Sequence, residues 1–368
     1  MFRCFDFLTS LQACLAAVQM CVNRRNEEKR SCYQTVRIER EPQIHRVLIL
    51  GTPESGKSTL MKQMKIIYSN GFTKQELISF KPAVLDNLLS SMKFVLHGMG
   101  MLRINLSNKK NKAHARAILS CECCIGEDME LLPFVAHSFC SLWGDLGIRA
   151  AVARGHEFQL NDSALYFFEN MSRIIAPNYI PTKTDVLRVR VRTHGVTETQ
   201  VRVNSSLYRL YDVGGLCSER KKWYSCFDNV QAVLFMVALS GYDQNLDENH
   251  SKNHLHESLK YFRSTCNSVF FGGASLVLFM NKIDLFGEKI LHSRRHLRLY
   301  QPDFKGPDCD VSCAAQYLTD QFVACATISG KMVYSHFTNA TDPSSIHEAF
   351  QITVNTIVKH NLQTVSLL

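Results

Sequence analysis

A glycine-rich loop, placed between a short apolar run and a helix-like segment, constrains the fold of this chain most. The loop is GTPESGKST, Gly51 to Thr59, and it fits the pattern G-x-x-x-x-G-K-[ST]. Residues 46–50 (RVLIL) are predicted to be a strand, and Lys57 to Tyr68 is predicted to be a helix. Strand, turn and helix in this order are the context that a phosphate-binding loop requires. A chance glycine-rich turn is the alternative, and the correctly placed strand and helix argue against it.

The loop residues have separate chemical tasks in this interpretation. Backbone N–H groups and the N-terminus of the helix would hold phosphate groups. Lys57 would reach the β- and γ-phosphates of a nucleotide, and the Ser58 hydroxyl would bind Mg²⁺. The loop therefore predicts a nucleotide and a magnesium ion as ligands.

Further apolar runs are separated by charged, helix-like segments, which predicts an α/β fold with a mostly parallel sheet flanked by helices. The runs are Leu207–Tyr211, Ala232–Leu239, Ser275–Met280 and Met332–Phe337. Between 73 and 181 nothing reads clearly as a strand. A long helix is expected there, because one face collects the apolar residues Leu85, Leu88, Leu89, Met92, Leu96 and Met99. We therefore expect an all-helical domain, residues 73–181, inserted into an α/β domain made of residues 42–72 and 182–368.

Both ends of the chain are predicted to be helical. Residues 1–41 contain an apolar repeat at steps of three and four, formed by Leu8, Leu11, Leu15, Val18 and Val22. A basic cluster follows this repeat, made up of Arg24, Arg25, Lys29, Arg30, Arg37 and Arg40. The last helix is expected from Ser344 to Asn361, with Asp342-Pro343 as its start signal. Its apolar stripe is expected to comprise Ile346, Phe350, Val354, Ile357 and Val358.

The formal net charge of +9 raises the question of an anionic partner. Lys and Arg are spread along the chain apart from the N-terminal cluster, so we expect a membrane surface and no nucleic acid. No apolar run reaches the ~18 residues of a membrane span. A secretory signal peptide is the alternative for the N-terminus, but Gln12 and Gln19 interrupt the apolar stretch. The 14 cysteines lack framework spacing and are expected to be reduced, because a phosphate loop implies cytosolic nucleotide.

A second motif, DVGG from Asp212 to Gly215, directly follows the apolar run that ends at Tyr211. A carboxylate at the end of a strand can hold Mg²⁺ through water, and a flexible Gly-Gly lets the backbone approach the γ-phosphate. Alone the motif could be a simple turn. Its significance comes from following a phosphate loop.

Two further motifs concern the base of the nucleotide. NKID, Asn281 to Asp284, offers a carboxylate that can accept two hydrogen bonds from the N1–H and exocyclic amine of guanine. Adenine has no such pair of donors, so the order of the motifs favours guanine over the adenine nucleotide of a kinase or ATPase. TNAT, Thr338 to Thr341, follows the last predicted strand, where a loop could pack against the base.

These motifs, together with DVLRVRVRTHG, SERKKW, FMNKIDLFGEKI and YSHFTNATD, resemble heterotrimeric G-protein α subunits from about residue 40 to 368. DVLRVRV, NKAHA and KMVYSHFT are most similar to the Gq class. The resemblance implies a Ras-like GTPase domain with an inserted helical domain, and GTP or GDP with Mg²⁺ bound between them. As partners it implies the Gβγ dimer, a G-protein-coupled receptor, an effector such as phospholipase Cβ, and regulators of G-protein signalling.

The resemblance also implies roles for individual residues. Arg190 matches the family's in-cis arginine finger, which neutralises charge on the transferring phosphoryl group; the alternative is a solvated cation in a charged run. Thr193 matches the switch threonine that ligates Mg²⁺, beside Ser58 and, through water, Asp212. The implied nucleotide-binding residues are Glu54, Ser55, Gly56, Lys57, Ser58, Thr59, Leu187, Arg188, Gly215, Asn281, Lys282, Asp284 and Ala340.

The catalytic motif departs from the family at two neighbouring positions. The family follows DVGG with a glutamine that orients the attacking water, and this chain has Leu216 there. Leucine has no hydrogen-bond donor or acceptor, so GTP hydrolysis is expected to be slow. Cys217 replaces a family arginine in the same switch.

The phosphate loop departs at Pro53, where the family has glycine. Proline fixes φ at about −65° and removes an N–H. Either the loop tolerates this proline or nucleotide binding is impaired, and the sequence leaves both open.

The expected location is the cytoplasmic face of the plasma membrane. There is no glycine after Met1, so the N-myristoylation signal is absent. Cys4, Cys14 and Cys21 are candidates for palmitoylation beside the amphipathic and basic stretch, which would supply the two signals that stable anchoring needs. Three ordinary helix cysteines are the alternative.

Three functions are compatible with these residues. The first is a GTPase switch that receptors turn on. The second is a protein that holds GTP and hydrolyses it very slowly. The third is a degenerate copy that no longer binds nucleotide well and serves as a scaffold for Gβγ or effectors.

Overall fold

The structure is a computed structural model, and it describes residues 43–122, 131–193, 195–214, 229–246, 249–293, 295–328 and 330–366. The predicted N-terminal helix, its basic cluster and the palmitoylation candidates Cys4, Cys14 and Cys21 lie outside these residues. So do Gly215, Leu216 and Cys217. The residues from Ile44 onward form one compact unit.

Six strands form the main sheet, in the order β2-β3-β1-β4-β7-β8. Their bounds are β1 Ile44–Gly51, β2 Val196–Val203, β3 Ser206–Val213, β4 Ala232–Ala238, β7 Ser275–Asn281 and β8 Val333–Thr338. A separate two-stranded ribbon pairs β5 (Asn245–Leu246) with β6 (Asn249–Asn253). All pairings in the main sheet are parallel except that of β2 with β3. The predicted mostly parallel sheet is therefore confirmed.

Strand β2 was not among the predicted strands. Its sequence, VTETQVRV, has four consecutive polar residues, and its polar side chains are mostly exposed because the strand lies at the edge of the sheet. The predicted runs in β1, β4 and β7 are more apolar because these strands are covered on both faces. Strand β8 lies at the other edge of the sheet and is more exposed.

Helices cover both faces of the sheet and form the inserted segment. In chain order they are α1 Lys57–Tyr68, α2 Lys74–Ser79, α3 Lys81–Leu102, α4 Asn111–Ser120, α5 Pro133–Trp143, α6 Leu146–Ala153, α7 Ala164–Glu169, α8 Met171–Ile174, α9 Lys183–Arg188, α10 His254–Cys266, α11 Ile283–His292, α12 Val311–Ile328 and α13 Pro343–Ser366. Alternate residues of β1 point to opposite faces, as the pleat requires. Leu48 and Leu50 join the core with α10, α11 and α12, whereas Val47 and Ile49 join the core with α1 and α13.

In the described part of residues 73–181, the regular elements are helices. They share a hydrophobic core of their own, which the long helix α3 crosses. Five of the six predicted stripe residues of α3 are buried, and Leu96 is half-buried. The predicted all-helical insertion is confirmed, whereas its limits at 73 and 181 stay a prediction.

Helix α13 begins as predicted and continues beyond the predicted end. The carboxylate of Asp342 accepts hydrogen bonds from the N–H groups of Ser344 (3.1 Å) and Ser345 (3.3 Å), and Pro343 is the first residue of the helix. The expected stripe is wrong at Val358, which is 41% exposed because it lies beside the buried face formed around Ile357. No helix among the described residues is long and apolar enough to cross a membrane.

Candidate functional site

A cleft of about 850 Å³ lies at the carboxyl ends of the parallel strands. In open α/β sheets, ligands bind in this position, and the volume suits a nucleotide-sized molecule. Most of the predicted site residues line it, namely Glu54, Gly56, Lys57, Ser58, Thr59, Leu187, Arg188, Arg190, Thr193, Asn281, Lys282, Asp284 and Ala340. The predicted residues Ser55 and Asp212 contact this lining. Gly215 and Leu216 lie outside the described residues.

The glycine-rich loop adopts a conformation that only glycine permits at two positions. Gly51 has φ 146° and Gly56 has φ 102°. A Cβ atom on Gly51 would collide with the carbonyl of Met236, and one on Gly56 would collide with the amide of Asn281. Both glycines thus let the loop pack directly on the neighbouring strands β4 and β7.

Pro53 occupies a position of this loop that accepts proline. The N–H of Ser55 donates to the carbonyl of Thr52 at 3.3 Å, which closes a four-residue turn. Glu54, the third residue of the turn, has φ 61°. Proline in the second position and a positive φ in the third are features of a type II turn. The N–H of the second residue takes no part in the hydrogen bond that closes such a turn. The loop conformation is therefore compatible with Pro53.

Lys57 is buried within the loop that precedes it. Its Nζ donates to the carbonyls of Gly51 (2.9 Å) and Thr52 (2.8 Å). Burial lowers the pKa of Lys57 to about 8, against the opposite effect of the Asp212 charge. A bound polyphosphate would raise the pKa of Lys57 again, because a nearby anion favours the charged form.

Three oxygen-bearing side chains meet beside Lys57. Ser58 Oγ donates to Asp212 Oδ2 at 2.7 Å, and Thr193 Oγ1 lies 2.6 Å from Ser58 Oγ. The other carboxylate oxygen of Asp212, Oδ1, is buried without a hydrogen-bond partner among the described residues. Burial raises the pKa of Asp212, although Lys57 and Ser58 lower it. Hydroxyl and carboxylate oxygens are the ligands that Mg²⁺ prefers, so this set fits the predicted ion.

Asn281 ties three loops of the site together. Its side-chain amide donates to the carbonyl of Ser55 at 2.9 Å. Its Oδ1 accepts hydrogen bonds from Thr338 Oγ1 at 3.2 Å and from the N–H of Ala340 at 3.0 Å. The residue is 1% exposed. Its role in this structure is thus to hold the phosphate loop and the TNAT loop in place, which the motif alone did not predict.

The NKID motif runs from the end of β7 into the start of α11, and Lys282 and Asp284 lie at the start of this helix. Asp284 lies in the first turn and is exposed to the cleft, so its carboxylate is free to meet the edge of a base. Lys282 has φ 61°, and its Nζ donates to Asp162 Oδ2 at 2.6 Å. Asp162 belongs to the inserted segment and was not predicted as a site residue.

Arg190 is held at the edge of the cleft by its backbone and by its side chain. Its N–H donates to Asn87 Oδ1 at 2.8 Å, and its carbonyl accepts from Asn87 Nδ2 at 2.9 Å. Its guanidinium forms an ion pair with Glu54 of the phosphate loop. The structure therefore places this cation beside the phosphate loop, and its role as an arginine finger stays a prediction.

The neighbouring residues Leu187 and Arg188 make contacts of different kinds. The carbonyl of Leu187 accepts a hydrogen bond from Thr59 Oγ1 at 3.4 Å. The guanidinium of Arg188 lies over the ring of Tyr166, 4.9 Å from its centroid. Both residues belong to α9, so the position of this short helix decides what they can reach.

A buried carboxylate, Asp185, fixes the position of α9. It accepts hydrogen bonds from Tyr166, Arg173 and Tyr179 and from the N–H of Thr182. Its pKa is held well below its usual range, because these hydrogen bonds outweigh the effect of burial. Asp185 is 0% exposed. It is the first residue of the segment DVLRVRVRTHG, which also contains Arg188 and Arg190, but sequence analysis assigned it no role.

Sequence reasoning also missed Lys62, which joins α1 to the same segment. Its Nζ donates to the carbonyls of Val186 (2.8 Å) and Val189 (3.2 Å). Burial lowers the pKa of Lys62 to about 8. Lys62 lies five residues after Lys57 on a predicted helix, and that spacing carries no chemical signal of its own.

Comparisons with known proteins agree with this geometry. A family model described as G-protein alpha subunit matches residues 23–357. A guanine nucleotide-binding protein G(o) subunit alpha from Geodia cydonium is 43% identical over 356 residues, which cover 95% of this chain and 99% of the relative. An alpha-1 subunit from Neurospora crassa and an alpha subunit from Pyricularia oryzae are each 41% identical over 344 residues, covering 94% of this chain and 96% of the relatives.

The G(o)-type name of the first relative does not support the expected similarity to the Gq class. The broader expectation is confirmed, since the family model and these relatives span nearly the whole chain. The family binds GTP or GDP with Mg²⁺, its members are GTPases, and Gβγ and receptors are its general partners. This chain therefore belongs to the G-protein α-subunit family and is a guanine-nucleotide-binding α subunit of a heterotrimeric G protein.

Proposed function

We propose that this α subunit is a switch that binds GTP together with Mg²⁺ but hydrolyses the GTP very slowly. The observation that carries the binding half is the cluster of Lys57, Ser58, Thr193 and Asp212 at one end of the cleft. Asp284 stands at the other end, free to meet guanine. When bound, Mg²⁺ neutralises charge on the phosphate oxygens. Ser58 and Thr193 would hold the ion directly, and Asp212 would hold it through water.

Slow hydrolysis follows from the chemistry of Leu216. An alkyl side chain cannot orient a water molecule, and loss of one positioned transition-state contact costs about 10²–10³ in rate. α subunits that have both the arginine and the glutamine hydrolyse GTP at about 10⁻² s⁻¹. A further loss of this size would leave GTP bound for hours. Arg190, beside Glu54, would still neutralise charge on the transferring group.

The proposed signal runs from a G-protein-coupled receptor to an effector, with Gβγ bound to the GDP form and regulators of G-protein signalling as further partners. Local similarity to the Gq class supports a phospholipase Cβ-type effector, whereas the G(o) relative supports a different one. Palmitoylation of Cys4, Cys14 or Cys21 would hold the protein at the cytoplasmic face of the plasma membrane.

A second candidate is a degenerate copy that serves as a scaffold without nucleotide. Pro53 was the residue that favoured it. The turn that contains Pro53 is closed by its hydrogen bond, and Lys57 donates hydrogen bonds to two carbonyls of the loop. The loop geometry therefore supports the nucleotide-binding candidate instead.

Single-turnover hydrolysis of preloaded, labelled GTP tests the proposal. We expect slow hydrolysis by the native chain and a gain of about 10²–10³ in the Leu216→Gln variant. The Leu216→Met variant is the control, because methionine has the unbranched length of glutamine without its hydrogen-bond donor, and it should stay slow. Hydrolysis by the native chain at about 10⁻² s⁻¹ would contradict the assignment of Leu216. Failure of all three proteins to retain GTP would instead establish the scaffold.

A further inference from the structure

A long stretch of the inserted segment contains no acidic residue. Between Asp86 and Glu122 the chain has six Lys and Arg residues and two His, but no Asp or Glu. Protein surfaces usually intersperse both signs of charge. The absence of one sign over this stretch therefore points to a surface with a special electrostatic role.

The structure exposes five of these six cations together. They are Arg103, Lys109, Lys110, Lys112 and Arg116, here called the basic face. Lys112 and Arg116 are one turn apart on the exposed side of α4, and the others lie in the loop between α3 and α4. The sixth cation, Lys93, is not counted in the basic face, because its Nζ donates a hydrogen bond to the carbonyl of Cys121.

Asp145 packs against the loop of the basic face but forms no ion pair with its cations. Its carboxylate accepts hydrogen bonds from the N–H groups of Ser107 (2.9 Å), Asn108 (3.0 Å) and Gly147 (2.8 Å), and from the amide of Asn111 (2.9 Å). Asp145 is 2% exposed. The buried carboxylate thus fixes the loop conformation, while the cations of the loop remain on the outside.

The cations of the basic face lack ion-pair partners in the part of the chain that the structure describes. None of its five cations takes part in an ion pair there. Exposed cations without partners produce a positive potential that attracts an anionic surface.

Two exposed apolar side chains lie next to the basic face. Helices α4 and α5 run antiparallel, because Asn111 bonds to Ser141 and His114 to Ser138. The end of α4 therefore meets the start of α5. There Leu119 is 41% exposed and Phe134 is 52% exposed. Leucine and phenylalanine beside lysine and arginine are typical of helices that lie in a membrane interface.

We propose that the basic face, with Leu119 and Phe134 beside it, binds the surface of a membrane that contains anionic lipids. The cations are spread over a loop and an exposed helix face, which suits an extended surface where each contributes without a defined partner. A single phosphate group would need donors that converge on one point. This contact belongs to the inserted segment, so it is separate from the N-terminal anchor in the proposed function.

Vesicle sedimentation with the full, non-acylated chain tests the proposal. The probes are phosphatidylcholine vesicles with and without phosphatidylserine. The variant Lys109→Gln/Lys112→Gln/Arg116→Gln should bind the phosphatidylserine vesicles about a hundredfold more weakly than the native chain, and the difference should shrink at high salt. The matched control Lys74→Gln/Arg202→Gln/Lys305→Gln removes the same charges from exposed sites elsewhere, and it should lose much less binding.

Equal losses in the two triple variants would overturn the proposal, because net charge alone would then explain them. Unchanged binding by the basic-face variant would also overturn it, and would leave an acidic protein as the better partner. The double variant Leu119→Ser/Phe134→Ser supplies a second measurement that changes no charge. It should weaken binding at high salt, where the apolar contact dominates; native-like binding there would contradict the assigned orientation.

Discussion

Lys282 and Asp162 join the guanine motif to the inserted helical segment. Lys282 Nζ lies 2.6 Å from Asp162 Oδ2, and the two side chains are 20% and 27% exposed. Burial lowers the pKa of Lys282, but the charge of Asp162 outweighs this effect and the net change is a raised pKa. Both residues line the cleft, so this ion pair connects the guanine motif on one wall to the inserted segment on another. We expect the pair to hold these walls together and to slow the release of a bound nucleotide.

The Asp162→Asn variant should therefore release GDP faster. The substitution keeps a hydrogen-bond acceptor but removes the charge, and truncating one member of a partly buried pair costs about 1–2 kcal/mol. We expect dissociation of labelled GDP to be about tenfold faster. Glu157→Gln is the control, because it breaks the exposed pair with Arg154 within the inserted segment and should leave the rate unchanged. Equal rates in all three proteins would show that the pair does not restrain the ligand.

The Gly56→Ala variant should lose nucleotide binding. At φ 102° an alanine is strained, and its Cβ would collide with the Asn281 amide that holds the phosphate loop. We expect a loss of at least about 3 kcal/mol in binding free energy, measured by fluorescence titration with labelled GDP. Gly100→Ala is the matched control, since that glycine is in α3 with open space around it. Helix propensity should make this control slightly more stable. Native affinity in Gly56→Ala would refute the steric argument.

The stability of the ligand-free protein should depend on His254 below neutral pH. Burial, together with the charge of Lys282, lowers the pKa of His254 to about 4, against the opposite effect of Asp162. Between about 4 and the ordinary value of about 6.5, the unfolded state binds more protons than the folded state, so stability falls as pH falls. From pH 7 to pH 5 this one group should cost about 2 kcal/mol.

Urea unfolding at these two pH values measures the effect. The His254→Gln variant cannot take up this proton, so its loss of stability from pH 7 to pH 5 should be smaller by about 2 kcal/mol. Other groups titrate alike in both proteins and cancel in the comparison. The same loss in the two proteins would mean that His254 is accessible to protons in the folded state.

Strand positions were predictable where the strand is buried on both faces. The runs at residues 46–50 and 275–280 lie inside β1 and β7, which are almost entirely buried, because nearly continuous apolar residues have few alternatives to a covered sheet. The run at residues 207–211 lies inside β3, which contains Arg209 and is half-buried. Edge strand β2 was missed for the opposite reason, since half its side chains face solvent. The long insertion was recognised because helical periodicity persists along α3.

The site was predictable as a set of motifs but not as a set of contacts. Lys57, Ser58, Asp212 and Asn281 were each expected, yet Asn281 meets Ser55, which is 226 positions away in the chain. Asn87 and Asp162 were not expected, because a single polar residue in a helical segment has many possible roles. Their partners, Arg190 and Lys282, are 103 and 120 positions away.

By itself the sequence determined the local chemistry of this protein. In the loop from Gly51 to Thr59, neighbouring residues specify both the turn and the groups that face a phosphate. Only the tertiary structure decided how the loops are held together and which groups span the cleft. The reason is that a hydrogen bond such as Lys282 to Asp162 depends on where two separately folded segments pack, and local sequence carries no information on that distance. The same holds for the basic face, whose residues are plain in the sequence but whose loop is held by the distant carboxylate of Asp145.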